Sequence, residues 1–78
     1  MSKSYTPRQG QYLAFIYYTK LHGIAPAESD FQKYFKTTPP SVHQMIVTLD
    51  KRGFIERTPG VGRSIKLRLS RDQLTNLL

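Results

Sequence analysis

Residues 38–45 read TPPSVHQM, and this stretch decides how the chain folds. Thr38 is a residue type that caps helix N-termini. Pro39 suits the first helical turn, because the N–H group that proline lacks would have no helical partner there, and Pro40 is tolerated for the same reason. The two prolines therefore predict an abrupt helix start at residue 39, with a sharp entry from the preceding segment.

The helix that begins there has two distinct faces. It is predicted to span residues 39–52 and to end at Gly53. Apolar residues at positions i, i+3, i+4 and i+7 form the face predicted to be buried: Val42, Met45, Ile46 and Leu49. The opposite face carries hydrogen-bonding groups, a terminal cation and no acid: Pro40, Ser41, His43, Gln44, Val47, Thr48 and Lys51. Short polar side chains near a helix N-terminus are suited to reading base edges in a major groove.

Two further helices are predicted before this one. Residues 6–9 read TPRQ, a capping box with proline at the first helical position, which predicts a helix over residues 7–21. Gly23 and Pro26 favour a break, and a second helix follows over residues 28–35. Its predicted buried stripe is Phe31, Tyr34 and Phe35. The very short link to the third helix predicts a steep crossing, as in a helix-turn-helix.

After Gly53 the apolar period changes from 3.6 to 2. Residues 54–57 and 64–69 are predicted strands, and the segment between them is rich in Gly and Pro, so a β-hairpin is expected. Ser70 and Gln73 repeat the capping-box pattern and predict a short final helix. The sequence therefore predicts an α+β winged helix-turn-helix with a three-helix core and a C-terminal two-stranded β-hairpin as the wing.

One domain is predicted for residues 1–78, with a frayed arm (1–5), a core (6–69) and a tail (70–78). The apolar tail residues could cap the core or pair two chains into a homodimer: Leu74, Leu77 and Leu78. The chain has no cysteine, so no disulfide framework is expected. Apolar runs are only a few residues long, which predicts no membrane span, no signal peptide and a cytoplasmic, nucleoid-associated location.

The charge is strongly positive and uneven. Twelve Lys and Arg oppose five Asp and Glu, giving a net charge of +7. Such an excess favours a polyanion such as nucleic acid as the partner. Base contacts are predicted for Pro40, Ser41, His43 and Gln44, and Arg63 is placed at the wing tip, within reach of a minor groove. Backbone contacts are predicted for Thr38, Thr48, Lys51, Arg57, Arg63, Lys66 and Arg68, the wing spanning residues 57–68.

No catalytic or metal centre is predicted. No His, Asp or Glu pair has metal-ligand spacing. Ser41 and His43 are two positions apart on a helix, so they point in different directions and cannot act as nucleophile and base. The expected protein is therefore not an enzyme and needs no cofactor.

Four segments resemble the DNA-binding domain of the LexA repressor family: YTPRQGQYLAFI, GIAPAESDFQKYF, TPPSVHQMIVTLDKRGFIER and GVGRSIKLRL. The family's Thr-x-Arg-Gln start, Gly-x-x-Pro turn, Ser-Pro helix cap and Lys-Gly followed by apolar-Ile-Glu have counterparts here. These are Thr6, Arg8 and Gln9; Gly23 and Pro26; Thr38 and Pro39; and Arg52, Gly53, Phe54, Ile55 and Glu56. The resemblance covers residues 5–69 and implies a DNA-binding winged helix.

The resemblance also implies where the chain departs from the family. The family's base-reading positions fall on Pro40, Ser41, His43 and Gln44, where the family carries an Asn, a small residue and two Glu residues. A different operator is therefore expected. The family continues into a self-cleaving Ser-Lys domain that supplies dimerisation, and this chain is expected to lack both.

The sequence thus predicts a sequence-specific binder of double-stranded DNA and a small transcriptional regulator. Two alternatives remain open from the residues alone. One is a winged-helix adaptor for protein interactions, and the other is a nucleic-acid binder without sequence preference.

Overall fold

A computed structural model describes residues 4–78 of the chain. Three helices come first: α1 (Pro7–Leu21), α2 (Glu28–Phe35) and α3 (Pro39–Lys51). Two short antiparallel strands follow, β1 (Ile55–Glu56) and β2 (Lys66–Leu67), and a single 3-10 turn spans Arg71–Gln73. This is the predicted α+β winged helix-turn-helix, with a two-stranded sheet as its wing.

The helix starts are fixed by the local signals that predicted them. At α1, the Thr6 hydroxyl accepts from the backbone N–H of Gln9 at 3.1 Å, and the Gln9 amide oxygen accepts from the N–H of Thr6 at 2.9 Å. At α3, Thr38 is the N-cap and Pro39 and Pro40 fill the first two helical positions. The end of α3 differs by one residue from the prediction, because Arg52 is the C-cap and Gly53 turns away with a φ of +77°.

The second helix has no side-chain N-cap and ends at a left-handed residue. Its N-cap is Ala27, whose backbone N–H is accepted by the Asp30 carboxylate at 2.9 Å. Its C-cap, Lys36, adopts the left-handed conformation with a φ of +51°. Because Lys36 turns the chain so tightly, only Thr37 and Thr38 remain before α3, which gives the short helix-turn-helix link that the sequence predicts.

The core is built from all three helices and the hairpin. Its buried members are Tyr12, Leu13, Phe15, Ile16, Phe31, Val42, Ile46, Leu49, Phe54, Ile55 and Ile65. The prediction that Tyr34 is buried is wrong, because its side chain is 43% exposed. The Tyr34 ring packs on Phe15 at the edge of the core, and its hydroxyl donates to the Leu78 carbonyl at 2.7 Å. The phenol therefore keeps a polar partner that the interior would not supply.

The hairpin is shorter than predicted. Ile55 pairs with Leu67 and Glu56 with Lys66, and the regular ladder extends no further. The connecting segment closes through its own bonds, in which the Ser64 hydroxyl accepts from the Thr58 N–H at 3.0 Å and lies 2.9 Å from the Val61 carbonyl oxygen. This side-chain closure replaces strand pairing at the tip.

The tail folds back over α1. Leu74 and Leu77 pack against the core of their own chain, whereas Leu78 is exposed. The 3-10 turn is a shortened form of the predicted final helix. Tyr5 lies edge-on to Phe54 and its hydroxyl donates to the carbonyl of Gln73. The predicted frayed arm therefore differs from the structure at Tyr5, while its residues 1–3 lie outside the described part of the chain.

Among residues 4–78, no helix has the length and apolarity needed to cross a membrane.

Candidate nucleic-acid interface

The outward face of α3 is accessible along most of its length. Its predicted base-contacting side chains are all exposed: Pro40, Ser41, His43 and Gln44. Lys51, the last residue of α3, is exposed as well, and Thr48 is half-buried. The side chain of Gln44 forms no hydrogen bond, and that of Lys51 no ion pair, to any residue in the described range 4–78. This face therefore presents an amide and an ammonium whose bonding capacity is unused.

Three hydroxyl groups on or beside this face are already engaged. Thr38 donates its side-chain hydroxyl to the Ser41 hydroxyl at 2.9 Å. Thr48 donates to the backbone carbonyl of Gln44, one turn earlier, also at 2.9 Å. The Ser41 hydroxyl keeps its own hydrogen for an outside acceptor, whereas Thr38 and Thr48 would have to rotate before donating to a phosphate.

His43 contacts an acid of the second helix. Its Nδ1 lies 3.3 Å from a carboxylate oxygen of Glu28, the first residue of α2. The His43 and Glu28 side chains are 58% and 36% exposed. One carboxylate therefore stands beside the outward face of α3, at its N-terminal half.

The wing residue Arg57 is turned towards α3. Its Nε lies 3.3 Å from the Asp50 carboxylate, and its side chain is only 19% exposed. Nε is buried and makes no aligned hydrogen bond within the described residues, so the contact is an ion pair without hydrogen-bond geometry. The predicted phosphate contact of Arg57 therefore requires this ion pair to open.

The wing-tip residue Arg63 is turned towards α2. Its Nη1 donates to the Ala25 carbonyl and to the Asp30 carboxylate, both at 3.1 Å. Its backbone is in the left-handed region, with a φ of +56°. This guanidinium lies against the start of the second helix, so the predicted DNA contact of Arg63 requires it to leave Asp30.

The remaining wing cations are unpaired. Lys66 and Arg68 are exposed, and neither forms an ion pair within residues 4–78. Lys66 lines a groove with Lys20 and Ile24, so it faces the connection between α1 and α2. Among the predicted backbone-contacting cations, those without an ion-pair partner in residues 4–78 are Lys51, Lys66 and Arg68.

Comparison with known proteins supplies relatives of this domain, although no family model matches the chain. It is 39% identical over 66 residues to the LexA repressor of Thermosipho melanesiensis and 41% identical over 66 residues to that of Thermosipho africanus. The LexA repressor of Petrotoga mobilis is 41% identical over 64 residues. These alignments cover 83%, 83% and 80% of this chain. The chain is similar in sequence to these LexA repressors.

The similarity extends over one part of those relatives. The chain spans about a third of the length of the curated LexA repressors it matches, with 33%, 33% and 31% of them aligned. The resemblance to the LexA family that the sequence motifs suggested is thus confirmed.

Acid placement is what motif reading missed in this LexA-like domain. Three of its five acids, Glu28, Asp30 and Asp50, pair with residues predicted to contact DNA. Two of these pairs join residues 15 and 33 positions apart, so no local sequence pattern predicts them. For Asp30 the sequence predicts only its bond to the helix cap, because an acid three positions after a cap commonly bonds the cap backbone.

No group of three or more His, Cys, Asp or Glu side chains in the described LexA-like region could hold a metal ion.

Proposed function

We propose that this chain binds double-stranded DNA with sequence specificity and acts in transcriptional regulation, with α3 seated in the major groove. The observation that carries the proposal is the unused bonding capacity on the outward face of α3, where Gln44 and Lys51 are exposed without internal partners. The homology to LexA repressors, whose name describes repression, supports the regulatory part.

The base-contacting role falls on the N-terminal half of α3. Gln44 offers an amide oxygen and an NH₂ group, the pair that matches the N6 and N7 atoms of adenine. Ser41 and His43 flank it with a hydroxyl and an imidazole, and the Pro40 ring offers apolar contact for a thymine methyl group. Specificity would come from these four side chains acting together.

The predicted phosphate-contacting residues differ in whether their side chains are already paired within the described chain. Lys51 and Arg68 are exposed and unpaired within the described chain, so they bind phosphates first. Lys66, Thr38 and Thr48 add contacts where the duplex reaches them. Arg57 and Arg63 join only if they leave their carboxylate partners, at a cost in lost ion pairing. The salt dependence of binding therefore reflects fewer phosphates than the total positive charge suggests.

The proposed role is binding rather than catalysis. A homodimer through the tail stays a prediction, and a half-site repeat in the bound DNA would support it. A protein-interaction adaptor would show no saturable, salt-dependent duplex binding. A binder without sequence preference would show steep salt dependence and no enriched motif.

Selection from random duplexes, followed by titration of the enriched duplex and a scrambled one, tests the proposal. The Gln44→Ala variant is expected to lose about 1–3 kcal/mol of binding free energy on the enriched duplex and little on the scrambled one. Asn76→Ala is the matched control, because Asn76 is an exposed amide on the tail. No enrichment, or equal losses on both duplexes, contradicts sequence reading through this face.

A further inference from the structure

The contact between His43 and Glu28 determines which nitrogen of the His43 ring carries the proton. Nδ1 of His43 lies 3.3 Å from Oε2 of Glu28. An ionised carboxylate has acceptor oxygens and no donor, so the proton on this side of the contact must belong to Nδ1. In a neutral imidazole only one nitrogen carries hydrogen. Nε2 is therefore left as an acceptor, and it is the ring nitrogen still free for an outside partner.

Glu28 is held in place by its own helix. It is the first residue of α2, whose N-terminal turn is fixed by the bond from the Ala27 N–H to Asp30 and whose core residue Phe31 is fully buried. His43 projects from α3, which packs against α2. The carboxylate and the imidazole therefore come from two rigid elements.

The other charged groups around this pair have partners of their own. Asp50, two turns further along α3, is paired with Arg57 from the hairpin. Arg63 lines the same groove as Glu28 and is paired with Asp30. Within residues 4–78, His43 is thus the ion-pairing partner that remains for Glu28.

We infer that Glu28 is a specificity-determining positioning residue, which sets the hydrogen-bonding role of His43 towards a base. This inference rests on the proposed function. With Nε2 as an acceptor, neutral His43 pairs with an exocyclic amine, the N4 group of cytosine or the N6 group of adenine, and not with the O6 and N7 acceptors of guanine. When the imidazole is protonated, both nitrogens donate and the preference turns towards guanine.

The tautomer can be measured without DNA. Nitrogen-15 NMR of the histidine ring distinguishes Nδ1–H from Nε2–H. At a pH where the ring is neutral, His43 is expected to show the Nδ1–H form. The Glu28→Gln variant is expected to show a mixture, because a glutamine amide can either accept from Nδ1–H or donate to a bare Nδ1. An Nε2–H form in the unaltered protein overturns the inference.

The consequence for reading is tested by duplex selection at about pH 8, where histidine is neutral. His43→Ala identifies the base pair concerned, because its enrichment disappears in that variant. At this position the unaltered protein is expected to enrich cytosine or adenine. Glu28→Gln should reduce that enrichment roughly threefold to tenfold, the range of one hydrogen bond.

Glu56→Gln is the matched control, because it removes one exposed carboxylate from the hairpin. Loss of a negative charge raises affinity for all duplexes alike in both variants, whereas only Glu28→Gln should change one position of the motif. If the unaltered protein enriches no motif, the proposed function fails and this inference fails with it. If it enriches a motif whose composition Glu28→Gln leaves unchanged, or that His43→Ala leaves unchanged, the inference alone is wrong.

Discussion

The side of the molecule covered by the tail and the side formed by α3 use the same residue types in opposite ways. On the tail side, the Gln11 amide donates to the Asn76 carbonyl at 3.0 Å and accepts from the Leu78 N–H at 2.8 Å. On the α3 side, the Gln44 amide is exposed and finds no partner within residues 4–78. One glutamine therefore closes the fold, and the other is left for a ligand.

The candidate base-contacting face is therefore identified by exposure after folding and not by residue type. Both glutamines lie on solvent-side positions of amphipathic helices, and nothing in the helical period separates them. The difference arises because residues of the tail lie over α1 and bond to Gln11. Variants on the tail side should accordingly change stability, and variants on the α3 side should change binding.

The largest expected effect is on stability, from a variant beneath the tail. A Cβ atom on Gly10 would lie 2.8 Å from a ring carbon of Tyr5 and 3.1 Å from a methyl carbon of Thr75. Gly10→Val is therefore expected to lower the free energy of unfolding by about 1–3 kcal/mol through overpacking. Urea unfolding followed by circular dichroism measures the loss.

A double-variant cycle shows whether that clash is the cause. In a Tyr5→Ala background the ring is gone, so the penalty of Gly10→Val should shrink. A penalty of the same size in both backgrounds would contradict the contact. Gly10→Val protein that remains folded should bind DNA as the unaltered protein does. A change in the enriched DNA motif would contradict the assignment of stability to the tail side and binding to the α3 side.

An intermediate effect concerns binding and compares Lys51 with Arg63. Lys51→Ala is expected to reduce the slope of log affinity against log salt by about 0.9, the contribution of one phosphate contact. Arg63→Ala should reduce it by less, because Asp30 already neutralises that guanidinium at 3.1 Å. Titrations at several salt concentrations measure both slopes, with Lys20→Ala as a charge-matched control near the end of α1. Equal slopes for the Lys51 and Arg63 variants would show that Arg63 releases Asp30 on binding.

The smallest effect is a pH dependence on the α1 side. Burial raises the pKa of Tyr12 above its ordinary value near 10, and the nearby Arg8 guanidinium opposes that rise in part. The folded state thus favours the protonated phenol. Its stabilisation is fully present below about pH 10 and is lost as the pH rises through the higher pKa of the folded state. Above pH 10 the unaltered protein should therefore lose stability relative to Tyr12→Phe.

Exposed Tyr18 provides the control for this titration, since it lies near the far end of the same helix. Tyr18→Phe should leave the alkaline loss of stability in place. A loss that persists unchanged in Tyr12→Phe would assign it to other groups.

The sequence predicted the helices well because their signals are local. Thr6 and Gln9 bond within one turn, and Thr38 with Pro39 predicts the first residue of α3 correctly. The core face of α3 followed from spacing alone. These features need no knowledge of distant residues, which is why they could be read directly from the chain.

The candidate site was less predictable because its charges interact across the fold. Arg57 and Arg63 were expected to be free, and each meets an acid contributed by another element. The role of Glu28 depends on the packing of α2 against α3, which brings residues 15 positions apart together. A different contact lies at the end of the hairpin: Arg57, where the first strand was expected to continue, pairs with Asp50 of α3.

The twin prolines at the start of α3 have a last chemical consequence. A helix N-terminus commonly attracts anions through free amide hydrogens, yet Pro39 and Pro40 have none. The next two amides are committed, because Ser41 N–H is 3.4 Å from the Thr38 hydroxyl and Val42 N–H donates to the Thr38 carbonyl at 3.1 Å. The first turn of α3 therefore has no free backbone N–H group to donate to a phosphate, and any phosphate contact there must come from side chains.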